Sequence, residues 1–284
     1  MDSQIILKNK NYSACISLMG AQMMSLKKGE REYIWQGDEK YWAGRTPVLF
    51  PVAGAFRDEI YVVNGEKYPF PKHGFIKNKL FTIFSKTENS VTLVRKEDEE
   101  TLKTFPFKFS FYVTFILKEG LMEIAYKVVN EDTKTMYFST GAHEGYALED
   151  DFENYSILFK DDKDLVSCNL EGKVLGKTTR DFLNCNGLLP LKYDYFSVDA
   201  LVFRHINSHE VSLLHNGKVE LTVECPDSNN LLLWTKPGAK YICIEPWVKS
   251  PDFVDSEYEV SLKEDIVSLE PSSCYIFNHS IRIN

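Results

Sequence analysis

Nowhere in the sequence do about eighteen apolar residues run together, the length a helix needs to cross a hydrocarbon core, so no membrane partner is expected. The start, Met1-Asp2-Ser3-Gln4-Ile5-Ile6-Leu7-Lys8, lacks a basic segment followed by an apolar one, and without a secretion signal the expected location is cytoplasmic. Clustered basic charge is missing too: 33 Lys and Arg stand against 41 Asp and Glu, a net charge of -8, and no basic run is long enough to follow a phosphate backbone. Nucleic acid is therefore not an expected partner. The six cysteines (Cys15, Cys168, Cys185, Cys225, Cys243, Cys274) form no Cys-x-x-Cys pair, which argues against a structural zinc site and a redox dithiol; they read as reduced, mostly buried thiols. There is no Gly-x-Ser-x-Gly elbow and no glycine-rich loop ending in Lys-Ser/Thr for nucleotide phosphates. Local metal-ligand spacing is absent as well. A metal site built from His73, His143 and Glu245 would need three remote residues to converge by fold alone, so neither metal nor cofactor is expected.

What is present is a large apolar and aromatic fraction, 44% and 13% of 284 residues, enough to bury the core of one domain spanning 1–284, and no Gly/Ser/Pro-rich linker divides it. The apolar residues recur with period two. Phe107, Phe109, Phe111, Val113, Phe115 and Leu117 form one half-buried strand, Lys118-Glu119-Gly120 a turn, and Met122, Ile124, Tyr126 and Val128 the returning strand. Val211 and Leu213 lead to Asn216-Gly217, a pair suited to a type I′ turn, and Val219, Leu221 and Val223 continue beyond it. Shorter strands are predicted at Val91 to Val94, Leu231 to Thr235 and Cys274 to Ile283, with no long 3.6-residue stripe anywhere. The expected class is all-β, an antiparallel sandwich or barrel.

Chemistry is concentrated in few places. In Tyr241-Ile242-Cys243-Ile244-Glu245-Pro246-Trp247 the strand period puts Tyr241, Cys243 and Glu245 on one face, and Pro246 is expected to stop the ladder just after the carboxylate. His73 in Lys72-His73-Gly74-Phe75 and His143 in Gly141-Ala142-His143-Glu144-Gly145 both adjoin glycine, which lets a backbone approach a ligand, and the aromatics nearby suit the apolar face of a sugar ring. His205, His209, His215 and His279 lie among charged or turn residues and read as surface groups. The acidic stretch Glu149 to Asn154 lacks the spacing of a calcium loop and reads as solvated.

In order along the chain, Gly20-Ala21-Gln22-Met23-Met24-Ser25-Leu26, Glu32-Tyr33-Ile34-Trp35, Pro47-Val48-Leu49-Phe50-Pro51, His73-Gly74-Phe75, Phe105-Pro106-Phe107, Gly141-Ala142-His143, Asp199, Ile244-Glu245 and Pro251-Asp252 resemble the galactose mutarotase-like superfamily, in particular its shorter aldose 1-epimerase-like proteins. The resemblance implies a large twisted antiparallel β-sandwich that holds a sugar on one face. It implies Glu245 as general base, His143 as general acid, and His73, Arg57 and Asp199 as groups holding the ring oxygen and hydroxyls. Arg57 departs from the family pattern, in which arginine directly follows glycine; here Ala55 and Phe56 intervene after Gly54. The residue types fit the chemistry independently, since a carboxylate is ionised near neutrality and a histidine can be protonated there. The expected substrate is a free aldohexose such as galactose or glucose. Lys72, Lys77 and Lys79 keep a hexose 6-phosphate as the alternative, alongside a non-catalytic sugar-binding protein and a glycoside hydrolase using Glu245 with Asp199. Oligomeric state, monomer or homodimer, is not readable.

Overall fold

The computed structural model describes residues 4–284 and is built almost wholly of antiparallel strands; the α-helix among the described residues is the single turn Glu99–Leu102. That turn is held by a reciprocal cap. The Asp98 carboxylate accepts the Thr101 amide while the Thr101 hydroxyl accepts the Asp98 amide.

Two sheets organise the molecule. The larger has nine strands in the order Leu188–Pro190, Tyr155–Phe159, Glu210–His215, Lys218–Glu224, Cys274–Ile283, Leu121–Asn130, Phe109–Lys118, Ser90–Lys96, Thr82–Lys86. At its centre the hairpin expected from period two is present, with Lys118 opposite Leu121 and every predicted inward residue from Phe109 to Val128 buried. Asn216 and Gly217 both take left-handed φ, 48° and 77°, as a type I′ turn requires. The pattern fails at Val219: a register shift leaves Glu220 without a partner, so Val219 falls opposite Leu214 rather than on the face of Leu221, and it is exposed.

The smaller sheet has six strands in the order Glu144–Ala147, Tyr241–Trp247, Asn230–Trp234, Leu201–Arg204, Leu165–Glu171, Val174–Phe182. Ile242, Ile244, Leu231, Leu233 and Phe203 face the nine-stranded sheet and join its aromatic and aliphatic residues in one core, where Phe159 and Phe203 meet edge to face at 5.0 Å. The opposite face of the same strands carries Leu232, Val202, Cys243, Glu245 and Trp247. Segments on the N-terminal side fold over this outer face, with Leu49 bridging Gly141 and Phe50 bridging Gly74.

Two expectations need correction here. The strand bearing Glu245 does not stop at Pro246 but runs to Trp247, paired with Leu231 and Asn230. Proline is accommodated because its donor-less nitrogen faces Ala142, beyond the end of the short Glu144–Ala147 strand. Ala142 still donates its amide to the Pro246 carbonyl (3.0 Å), and the Ala142 carbonyl, which a normal residue 246 would have satisfied, accepts the Trp247 indole N–H at 3.1 Å. The cysteines are all free, as expected, but only Cys225 and Cys243 are buried, because the other four lie on or near exposed faces of their strands or loops.

Candidate active site

Glu245 sits opposite Leu232 on the outer face of the six-stranded sheet, 2% exposed, at the floor of a cavity of about 420 Å³. His143 reaches the same floor from the neighbouring chain segment. Glu144 pairs with Ile244 and therefore points inward with it, so alternation turns His143 outward beside Glu245. The backbone leading to His143 is pressed against the glutamate strand: a Cβ on Gly141 would lie 2.5 Å from Trp247 Cδ1, so only glycine fits there. The result is a His143 Nε2 to Glu245 Oε1 separation of 3.4 Å. The imidazole also stacks on Trp42, with ring centres 5.2 Å apart.

His73 approaches from the covering loop, its ring edge-on to His143 (5.5 Å) and to Trp247 (5.6 Å). Its amide donates to the Gly54 carbonyl (2.7 Å), and its Nδ1 accepts the Gly54 amide (3.1 Å). A ring that accepts at Nδ1 and is neutral carries its proton on Nε2, which leaves that nitrogen as a donor. Gly74 must follow, since it has φ of 64° and a Cβ would lie 2.2 Å from the Phe50 carbonyl oxygen. Asp199 lines the mouth of the cavity, one carboxylate oxygen accepting the Ala200 amide (2.8 Å) and the other 4.0 Å from Lys72 Nζ.

Burial dominates the electrostatics. It lowers the His143 pKa to about 3, with Lys72 and Lys77 adding to the effect, and it holds His73 well below 6.5, reinforced by His143 and Lys72. The same burial raises Glu245 well above the usual carboxylate range, with Glu144 and Asp199 adding to the rise and Lys72 opposing it. An imidazolium at rest, the state expected from residue type alone, is therefore disfavoured. Both shifts bias a proton shared by the His143–Glu245 pair toward the carboxyl rather than the imidazole. Nδ1 of His143 and Oε2 of Glu245 are buried without hydrogen-bond partners.

Four of the five residues singled out in the sequence, His73, His143, Asp199 and Glu245, line this one cavity; Arg57 does not. Its amide is held by Asp252 (2.8 Å) and its guanidinium stacks on the Tyr258 ring at 3.6 Å, because Ala55 and Phe56, both buried, carry the chain past the cavity edge. His279, read as a surface group, is also misplaced: it is 2% exposed and shares a 3.0 Å hydrogen bond with Glu144 across the two sheets. The aromatic wall of Trp42, Trp234 and Trp247 went unassigned. One signal existed for Trp247, which follows Glu245 by two and so shares its face.

A family profile described as Aldose 1-epimerase matches residues 3–256. Protein LacX of Lactococcus lactis subsp. lactis is 32% identical over 263 residues, covering 86% of this chain and 87% of that protein. A structure of a galactose mutarotase related enzyme from Lactobacillus acidophilus superimposes with a TM-score of 0.93 at 28% identity, covering 99% of this chain and 97% of that one. A galactose mutarotase-like protein from Lactobacillus casei shares the fold with a TM-score of 0.92 at 24% identity, over 99% and 100% of the two chains.

Proposed function

The chain belongs to the aldose 1-epimerase family, and from that premise we propose that it is a mutarotase interconverting the α and β anomers of a free aldohexose such as galactose or glucose. The observation that carries this reading is the His143–Glu245 pair, 3.4 Å apart on the floor of a cavity walled by tryptophan. Anomer exchange needs one group to take the proton of the C1 hydroxyl and another to protonate the ring oxygen. The C1–O5 bond then breaks, the aldehyde turns about C1–C2, and the reverse transfers close the ring with the other configuration. With one proton shared between them, the pair carries what this exchange requires. When sugar hydroxyls donate to the carboxylate oxygens, the ion-pair form of the dyad is favoured, and the proton moves from Glu245 to His143 without exchange with solvent. Glu245 is then the base and His143 the acid. His73 Nε2–H and the Asp199 carboxylate hold the ring oxygen and hydroxyls, and the indoles cover the apolar face of the sugar. Arg57 has no part in this scheme.

Lys72, Lys173 and Lys236 line the cavity as well, and they favour a second reading in which the sugar carries a 6-phosphate; lysine holds phosphate as a point charge, without the bidentate fork of arginine. The continuous core supports one domain over 1–284, and six free cysteines fit a cytoplasmic setting.

The test is the rate at which fresh α-D-glucose, α-D-galactose and their 6-phosphates approach anomeric equilibrium, followed by polarimetry. Glu245→Gln and His143→Ala are each expected to lower kcat by about 10²–10⁴-fold. Unchanged rates in both variants would overturn the mechanism. Sugar binding without acceleration by the wild type would leave a binding protein, and cleavage of a methyl glycoside would identify a hydrolase.

A further inference from the structure

Cys243 precedes Glu245 by two residues on the same strand and shares its face, so it stands beside the dyad although the proposed reaction has no use for a thiol. The ligand atoms of His143, Cys243 and Glu245 all lie within 4.8 Å of one another. Two of these side chains hold buried atoms without partners, His143 Nδ1 and Glu245 Oε2. We propose that His143, Cys243 and Glu245 form a binding site for a thiophilic divalent cation such as zinc, and that its occupation blocks the enzyme.

Imidazole nitrogen, thiolate sulfur and carboxylate oxygen form a ligand set that zinc accepts, at bond lengths that place tetrahedral ligands about 3.4–3.8 Å apart. His143 and Glu245 already meet that spacing at 3.4 Å, and the widest separation in the set needs to close by roughly 1 Å through side-chain rotation. Charge favours the assembly: a dication with one thiolate, one carboxylate and a neutral imidazole sums to zero, the condition under which ions are tolerated in a buried site. Binding releases two protons to solvent, that of the thiol and the one shared by the dyad, and no electron changes hands. His143 and Glu245 both line the cavity, which gives a cation an approach to the site. Magnesium and calcium, which prefer six or more oxygens, have no such set here.

The cation site stands on geometry alone, whereas the inhibition rests on the mutarotase reading, so the experiment separates them. Cobalt(II) added to the wild-type protein is expected to produce a thiolate-to-metal charge-transfer band, lost in Cys243→Ala. Zinc is expected to suppress anomer exchange reversibly, with release by a chelator, and Cys243→Ala is expected to keep its metal-free activity while needing about 10-fold or more zinc for the same suppression. No cobalt band in the wild type, or a band and zinc sensitivity unchanged in Cys243→Ala, would overturn the site. A cobalt band in a protein that accelerates no sugar would leave the site standing and overturn the assigned reaction instead. Cys243→Ser provides a second variant should alanine perturb the tryptophan wall.

Discussion

His143 and Glu245 are useful to an acid/base reaction only while the pair holds one proton, and that fixes the form of the pH profile. Burial lowers the His143 pKa to about 3 and raises that of Glu245, so both shifts widen the pH range over which the pair holds one proton. We expect kcat/KM to show no acid limb near 6.5 and to fall on the alkaline side; a half-loss of activity near pH 6.5 on acidification would contradict the neutral dyad. For Arg57→Ala the expectation is a KM close to wild type with about 0.5–1 kcal/mol less stability, from the lost stacking on Tyr258, read by KM and urea unfolding in parallel. Gly74→Ala should lose about 2 kcal/mol or more, because a Cβ at φ 64° meets a backbone oxygen that cannot turn aside; a calorimetric Tm within a degree of wild type would show that the loop gives way. At this scale the sequence singled out residues that the fold brings to one cavity, because glycine beside histidine and a lone carboxylate on an apolar strand are local signals. It did not reveal their protonation, since the atoms that desolvate His143 and Glu245 come from segments up to two hundred residues away. Nor did it reveal that the two residues inserted between Gly54 and Arg57 divert the side chain.

Between elements, the decisive contact is the Glu144–His279 hydrogen bond at 3.0 Å, which ties the strand next to the glutamate strand to the middle of the nine-stranded sheet. Because His143 and Glu144 are consecutive and point to opposite faces, the inward residue anchors the outward one. His279→Leu would leave a buried carboxyl without its partner, at a cost of about 1–3 kcal/mol; adding Glu144→Leu should recover much of that. Urea unfolding of the two single variants and the double variant measures the coupling, and strict additivity would mean the contact contributes nothing. Strands and hairpins were readable because period two and Asn-Gly act locally. The inter-sheet pair was not, since His279 sits between Asn278 and Ser280 in a segment that looks polar, and only the central position of its strand buries it. The shift that exposes Val219 escaped for a related reason: the side chain of Glu220 at the bulge meets Arg31, which comes from a distant part of the chain, as well as His215 across the turn.

For the whole molecule, one core runs from Ile5 to Ile283 through both large sheets, which bears on whether 1–284 unfolds as a unit. All four tryptophans, Trp35, Trp42, Trp234 and Trp247, cluster at the cavity side, whereas far-ultraviolet dichroism reports every strand. A single domain requires the two signals to share one urea midpoint; separated midpoints would divide the chain into two folding units. The all-β class and the sandwich were legible at this scale because strand period and turn residues recur throughout. The order of strands was not, since pairings such as Lys218–Glu224 with Cys274–Ile283 join distant stretches. Trp247 also limits how the cavity can be altered. Its ring forms part of the wall against which a ligand rests, while its indole N–H stands in for the amide that Pro246 lacks. Trp42 and Trp234 meet His143 through ring contacts, whereas a change at Trp247 also alters the hydrogen-bonded seam holding Ala142 and, one residue on, His143. The shape of the cavity and the placement of His143 are inherited together at that position.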